Sequence, residues 1–250
     1  MTKTSIEWTE MTWNPTTGCD RVSPGCDHCY ALTMAARLRA AGARAYQNDG
    51  DPRTSGPGFA LALHPERLQA PLQWRKPSLV FVNSMSDLFH AKVPFEFVEQ
   101  VWDVMARTPQ HTYQILTKRP DRMARFSLRL PTLRNVWLGT SIEDQARIGR
   151  LKDLLDCIAE RVFISAEPLL GPLDLGPDLL FVDWLIVGGE SGPGARPADV
   201  EWYRSLRDQC RDLPHTAFFL KQLGGHPDKL GHDKALLDGR LWREMPEVAA

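Results

Sequence analysis

Leu79-Val-Phe-Val-Asn-Ser-Met-Ser-Asp87 joins a short, wholly apolar run to a cluster of small polar residues, and the stretch Phe95 to Ala106 beyond it has a helical apolar pattern. An apolar run without polar alternation belongs to a strand buried on both faces. A helix after each such strand means a parallel sheet covered by its own crossovers. The unit recurs down the chain. Tyr113-Gln-Ile-Leu116 precedes Thr117-Lys-Arg119 and a helix opening near Pro120, and Val136-Trp-Leu138 precedes Gly139-Thr-Ser-Ile-Glu143 and a helix from about Asp144 to Cys157. Val162-Phe-Ile164 precedes Ser165-Ala-Glu167, where Pro168, Pro172 and Pro177 predict a loop in place of a helix. Trp184-Leu-Ile-Val187 precedes Gly188-Gly-Glu-Ser191 and a helix from Val200 to Arg211, and Ala217-Phe-Phe-Leu220 precedes Lys221-Gln222.

Toward the N-terminus, residues 6 to 14 alternate apolar with polar and read as a first strand stopped by Pro15. The run from Tyr30 to Ala41 has high helix propensity and ends at Gly42, and residues 46 to 58 form a long irregular connection rich in Gly and Pro. Seven strand signals alternating with helices predict an α/β fold, a (β/α) TIM-type barrel. It is complete if an eighth strand lies in the N-terminal part or the C-terminal tail, and incomplete otherwise. An open doubly wound sheet is the competing topology, but no Gly-x-Gly-x-x-Gly turn follows the first strand. Length suits one domain over residues 1–250, with residues 1–58 supplying the first strand, a cysteine loop and a helix, and 224–250 a tail on the barrel.

The loop between the first strand and helix, Gly18-Cys-Asp-Arg-Val-Ser-Pro-Gly-Cys-Asp-His-Cys-Tyr30, holds three of the chain's five cysteines at Cys-x6-Cys-x2-Cys spacing. Gly18, Pro24 and Gly25 let the backbone turn, and thiolates are soft ligands, so Cys19, Cys26 and Cys29 are candidate metal ligands. A closed zinc site needs a fourth ligand, and no second Cys-x2-Cys exists; Cys157 and Cys210 stand alone and His28 lies inside the turn. Three cysteines suit a 4Fe-4S cluster with one iron left open. Zinc and a plain loop of reduced thiols are the other readings. An odd cysteine count, three of them together, fits a reducing compartment, and the absence of an apolar h-region or a run near the ~18 apolar residues of a membrane span points to a cytoplasmic protein. At 43% hydrophobic and 24% charged residues, with a net charge of −1, the composition is globular and excludes a uniformly basic nucleic-acid protein.

In a barrel of this kind functional residues gather at the C-terminal strand ends. Asn83, Ser84 and Asp87, then Thr117, Lys118 and Arg119, Ser141 and Glu143, Ser165 and Glu167, Glu190 and Ser191, and Lys221 and Gln222 all take such places. Ser141, Glu143, Asp87 and Asp199 are equally readable as helix caps. Lys118, Glu167, Glu190 and Lys221 are charges placed where burial demands a partner or ligand. The candidate catalytic residues are Lys118, Glu167 and Lys221. Gly188, Gly189, Glu190 and Ser191, with Asn83, are candidates for cofactor binding, because a Gly pair at a strand end lets a ligand approach the backbone; a bulge and tight loop would use the same glycines. From 117 to 134, Lys118, Arg119, Arg122, Arg125, Arg129 and Arg134 face only Asp121. The first four are candidate contacts for DNA or RNA; a solvated helix face is the alternative, as it is for Arg204, Arg207 and Arg211.

Trp13-Asn-Pro-Thr-Thr-Gly-Cys19, Gly25-Cys-Asp-His-Cys-Tyr-Ala31, Leu116-Thr-Lys-Arg-Pro120, Ser165-Ala-Glu-Pro-Leu-Leu-Gly171, Val187-Gly-Gly-Glu-Ser-Gly192 and Leu237-Asp-Gly-Arg-Leu-Trp-Arg-Glu-Met-Pro246 together resemble the phage Gp37/Gp68 family of three-Cys-motif proteins, over nearly the whole chain. Arg243 stands where that family usually has an acidic residue. The resemblance implies a barrel with a three-cysteine iron–sulfur centre, and looks distantly like the radical S-adenosylmethionine (SAM) group, including lyases that repair DNA photoproducts. That group spaces its cysteines Cys-x3-Cys-x2-Cys, puts an aromatic residue before the last one, and has its Gly-Gly-Glu after an early strand. Here six residues separate Cys19 from Cys26, Tyr30 follows Cys29, and Gly188-Gly-Glu190 follows a late strand. Two functions result: a cluster protein acting on or with nucleic acid in repair or recombination, and a radical SAM enzyme in which Glu190 and Glu167 grip SAM.

Overall fold

The computed structural model describes residues 4–248. In chain order its elements are β1 (Met11–Trp13), β2 (Thr16–Thr17), α1 (Tyr30–Ala40), β3 (Ala62–Leu63), β4 (Leu79–Val82), α2 (Phe95–Ala106), β5 (Thr112–Thr117), α3 (Pro120–Ser127), β6 (Val136–Ser141), α4 (Gly149–Leu155), β7 (Arg161–Ala166), β8 (Trp184–Gly188), α5 (Val200–Arg211), β9 (Ala217–Gln222), β10 (Leu236–Leu237) and β11 (Arg240–Leu241). Proline at the first helical position opens α3, and Asp199 caps α5 by accepting from the Glu201 amide.

Seven strands form one parallel sheet in the order β1-β4-β5-β6-β7-β8-β9. Each new strand joins the outer side of the last, so the order never reverses. That excludes the doubly wound topology, which needs a switch point. β1 and β9 are not paired, and no eighth strand enters this sheet among the described residues. The barrel is therefore incomplete. β2 pairs with β3, and β10 with β11, as small antiparallel ribbons instead.

Alternation along the strands sorts side chains to two faces. Val80 and Val82, Tyr113 and Ile115, Val136 and Leu138, Leu185 and Val187 look outward to the helices and join the main core. Phe81, Trp137, Phe163, Trp184, Ile186 and Phe219 look inward and form a second core with Trp8. Trp8 touches Phe81 of β4 at 4.7 Å between ring centroids and Trp184 of β8 at 6.1 Å. One side chain can reach strands that far apart only if the sheet curls. Gly139 sits on the same inner face, where a Cβ would come within 2.5 Å of the Phe163 ring.

Three expected elements are corrected. The first strand does not run from 6 to 14: Thr9 N–H reaches back to the Ile6 carbonyl, a turn that drives Trp8 into the curl and leaves only Met11–Trp13 on the sheet. The helix expected over 144–157 begins as a 3-10 turn at Gln145–Arg147 and becomes α-helical only over Gly149–Leu155, with Gly149, a poor helix former, at the junction. Among the proposed caps only Asp199 caps a helix. Asp87 accepts from the Phe89 amide in a turn before α2, Ser141 ends β6, and Glu143 is fully buried and tied to Arg150.

The tail lies along the free edge of β9, where the Leu220 amide donates to the Trp242 carbonyl and the Glu244 amide to the Phe218 carbonyl. The gap toward β1 is bridged by side chains. Glu7, 3% exposed, pairs with Arg243 at 2.7 Å and Lys229 at 3.4 Å, and the His232 amide donates to it at 3.0 Å. Arg243 also stacks on Phe219. Arg243→Ala is expected to cost about 1–3 kcal/mol in urea unfolding, because it strips a charged partner from a buried carboxylate; an unchanged midpoint would refute the seam. No helix among the described residues is long and apolar enough to cross a membrane.

Candidate cluster site

The cysteine loop crosses the C-terminal rim of the sheet. Gly18 enters it at φ +84°, with the Ala60 carbonyl where a Cβ would stand, so only glycine fits. Pro24–Cys26 form one 3-10 turn, the Cys29 amide donates to the Cys26 carbonyl, and Cys29 sits at the N-terminus of α1. Cys19, Cys26 and Cys29 all line one cavity of about 150 Å³, with Asn83, Asp87, Lys118 and Arg119.

Electrostatics ties these groups together. Burial pushes the Cys19 thiol up to about 12, Asp87 adds to this, and Arg119 opposes it, its Nη1 standing 3.6 Å from the sulfur. Burial also raises Cys29, against the Ala31 and Leu32 amides of the helix start and the charge of Lys118. Cys26 raises both neighbours by proximity. The Cys19 and Cys29 thiols therefore resist ionising unless a positive centre joins them.

Arg119 is fixed for that work. It pairs with Asp87 at 2.8 Å and donates to the Asp20 carbonyl at 3.0 Å, while Thr117 donates to Asp87. The Asp20 carboxylate meets His90 at 2.9 Å and accepts from Thr54. Asn83, held at φ +62°, gives its Nδ2 hydrogen to Thr16 and leaves Oδ1 buried without a partner on this cavity.

A second cavity of about 180 Å³ adjoins the first and shares Gly25, Cys29, Tyr30, Phe81, Leu116, Lys118 and Ser141 with it. Its floor is Trp8, whose Nε1 is buried and unpaired; its walls are Ser165, Glu167, Glu190, Ser191, Lys221 and Gln222. Glu167 pairs with Lys221 at 2.8 Å and accepts from Ser165. Lys118 stands between the two cavities and, among the described residues, has no ion-pair partner, although its charge helps hold Glu143 ionised against burial. A larger cleft of about 720 Å³ opens at the other end of β7 and β9 among Arg161, Arg211 and Arg240, and contains none of these residues.

All three expected catalytic residues and the three cysteines thus meet at one mouth. The glycines and the basic run are read differently. The space beside Gly188 is filled by the Glu167 carboxylate, and that beside Gly189 by the Leu223 carbonyl and the Tyr203 hydroxyl, so the pair serves close packing at a bulge. The run after β5 is dispersed rather than one free face: Arg119 turns inward, Arg122 donates to the Val93 carbonyl, Arg125 pairs with Asp121 and Arg129 lies over Phe95. Arg204 and Arg207 bind Asp238. Sequence reading missed Trp8, Tyr30, Arg196 and the role of Glu143; the inner-face alternation Trp137-x-Gly139-x-Ser141 was the available signal for where the cavity lies.

No three His, Cys, Asp or Glu side chains among the described residues are gathered tightly enough for a single ion. A cubic cluster makes no such demand, since each cysteine takes a different iron. Three soft ligands around one cavity, flanked by Lys118 and Arg119, fit a cluster.

Fold and site define an α/β protein with a curled parallel sheet and a three-thiol cavity on its C-terminal rim. The chain belongs to the family described as protein of unknown function (DUF5131), matched over residues 3–246. No curated protein matches it. Solved structures similar to it include spore photoproduct lyase complexed with dinucleoside spore photoproduct (11% identity, 83% of this chain, 55% of that one, TM-score 0.46). A cysteine-to-serine mutant of that lyase gives 12% identity, 88% and 58% coverage and a TM-score of 0.48. A double mutant with bound AdoMet and dinucleoside spore photoproduct gives 12%, 85%, 56% and 0.46. The chain spans little more than half of these structures, and no conclusion about activity rests on them.

Proposed function

We propose that the protein carries a 4Fe-4S cluster on Cys19, Cys26 and Cys29, with one iron open, as the resemblance to the Gp37/Gp68 three-Cys-motif proteins implies, and that it acts on or with nucleic acid. The observation that carries this reading is the convergence of the three thiols on one cavity beside two cations at the strand ends. A bound cluster would supply one-electron chemistry and a vacant coordination place. Around it, this chain's residues do recognisable work: Arg119 offsets thiolate charge, Lys118 offers an unpaired cation at the seam between cavities, and Trp8 and Phe81 keep the inner cavity apolar. Anaerobic purification with iron and sulfide analysis and absorption spectroscopy tests it, with about four irons and four sulfides per chain expected. Colourless protein with stoichiometric zinc would overturn it.

The second cavity, contiguous with the thiols and floored by an unpaired Trp8 Nε1, favours a second reading, in which SAM binds there and the protein is a radical SAM enzyme. Reduction with dithionite in the presence of SAM should then yield 5′-deoxyadenosine. Its absence would leave the cluster reading and remove this one.

Nucleic acid is supported by the rim itself, where Tyr30, a residue 54% exposed whose hydroxyl donates to the Ser84 carbonyl, lines the same cavities as Lys118, bringing an aromatic side chain and a cation to one mouth. Lys118→Ala is expected to weaken binding of single-stranded DNA and to lower the salt slope by about one, whereas Arg125→Ala, on the outside of α3, should change neither. An unchanged slope for Lys118→Ala would remove this residue from the interface.

A further inference from the structure

The carboxylate of Glu190 is spoken for. It is 4% exposed, and its oxygens receive the Arg196 amide at 2.9 Å, the Arg196 Nε at 2.9 Å, a second guanidinium nitrogen, and the Nδ1 side of His28 at 2.9 Å. The same guanidinium donates through Nη2 to the Pro24 carbonyl at 2.9 Å and lies 3.7 Å from the Asp27 carboxylate. Pro24, Asp27 and His28 flank Cys26 and precede Cys29. From the opposite side the Gly25 amide donates to Glu143 at 3.4 Å. We infer that Glu190 and Arg196 form a clamp that locks the segment Pro24–His28 onto the end of β8, fixing Cys26 and Cys29 from outside rather than presenting a carboxylate to a ligand.

The chemistry is that of positioning. Burial alone would drive the Glu190 carboxyl up; the hydrogen bonds from Arg196 and His28 reverse that and bring it down to about 2, so the carboxylate is charged whenever the protein is folded near neutrality. A charged group so saturated has little left to offer a ligand amine. Its planar partner can grip the two carboxylate oxygens and still hold the loop backbone, which a lysine could not do. The three thiols then need not be organised by metal: two of them are placed beforehand by a clamp that runs from the end of β8 to the first loop, across 162 residues of sequence between His28 and Glu190.

The clamp matters to the function proposed above, but its test does not depend on that reading. In metal-free protein, the rate of iodoacetamide alkylation at each cysteine is followed by peptide mass spectrometry in the parent, Glu190→Gln and Arg196→Ala proteins. Both substitutions are expected to accelerate Cys26 and Cys29 by about tenfold through local opening, with Cys210, on the buried face of α5, unchanged. Unchanged rates at Cys26 and Cys29 would overturn the clamp, and so would an equal acceleration at Cys210, which reports general loosening. In reconstituted protein the same variants should lose iron to a chelator about tenfold faster. If the parent takes up no iron, the cluster reading fails while the alkylation result still decides the clamp.

Discussion

Cys26→Ala protein prepared without air is expected to retain almost no iron or sulfide while keeping its far-ultraviolet circular dichroism. The loop does not depend on that thiol for its shape: the Gly25 amide is held by Glu143, the Pro24 carbonyl by Arg196, and the Asp20 carbonyl by Arg119. On the proposed assignment the substitution removes one of three ligands, and a cluster with two protein thiolates would be exposed to loss at two irons instead of one. Cys157→Ala and Cys210→Ala are the controls. Neither residue lines the thiol cavity, and both thiols are pushed up to about 12 by burial, so their loss should leave iron content unchanged. Cys26→Ala protein that keeps its full complement of iron would refute the ligand assignment.

The largest loss of stability is expected at the centre of the inner face. Trp184→Ala should cost about 3–5 kcal/mol in urea unfolding. The side chain is fully buried, and its ring meets Trp8 at 6.1 Å, Trp137 at 6.0 Å, Phe163 at 5.8 Å and Phe219 at 5.9 Å, mostly edge to face. Its Nε1 also donates to the Glu244 carbonyl at 3.0 Å, so truncation opens a void and unpairs the tail in one step. Trp184→Phe, which keeps much of the volume and loses the donor, should fall between. A change below about 1 kcal/mol for the alanine variant would mean that the inner layer is not a packed core.

The strands and helices were legible where the physics is local. Leu79–Val82, Phe95–Ala106 and Val200–Arg211 have the predicted bounds because an apolar run or a 3.6-residue stripe needs no knowledge of distant partners. Glu167 and Lys221 were brought to notice for a related reason, since a charge one step past a buried strand must find company, and these two pair with each other, whereas Lys118 has no ion-pair partner among the described residues. What stayed hidden depends on closure. Trp8 looked like part of an alternating strand, and only the curl of the sheet gives it neighbours on β4 and β8. Arg196 carried no signal in a Gly- and Pro-rich loop, because its partners lie on β8 and in the cysteine loop. The basic run misled in the opposite direction: a count of charges cannot show that one guanidinium turns inward and another rests on a ring.

The meeting of Glu7 with Arg243, Lys229 and His232 has a mechanical consequence. A fully hydrogen-bonded ring of strands has a bore set by its ladder and widens only by unzipping. Here the two borders of the sheet are buttoned by side-chain charges, so the wall can spread at that single place while every strand keeps its backbone partners. Because Glu7 is buried, salt would screen these buttons little, and neutralising its carboxylate by substitution is what would loosen them and leave the sheet intact.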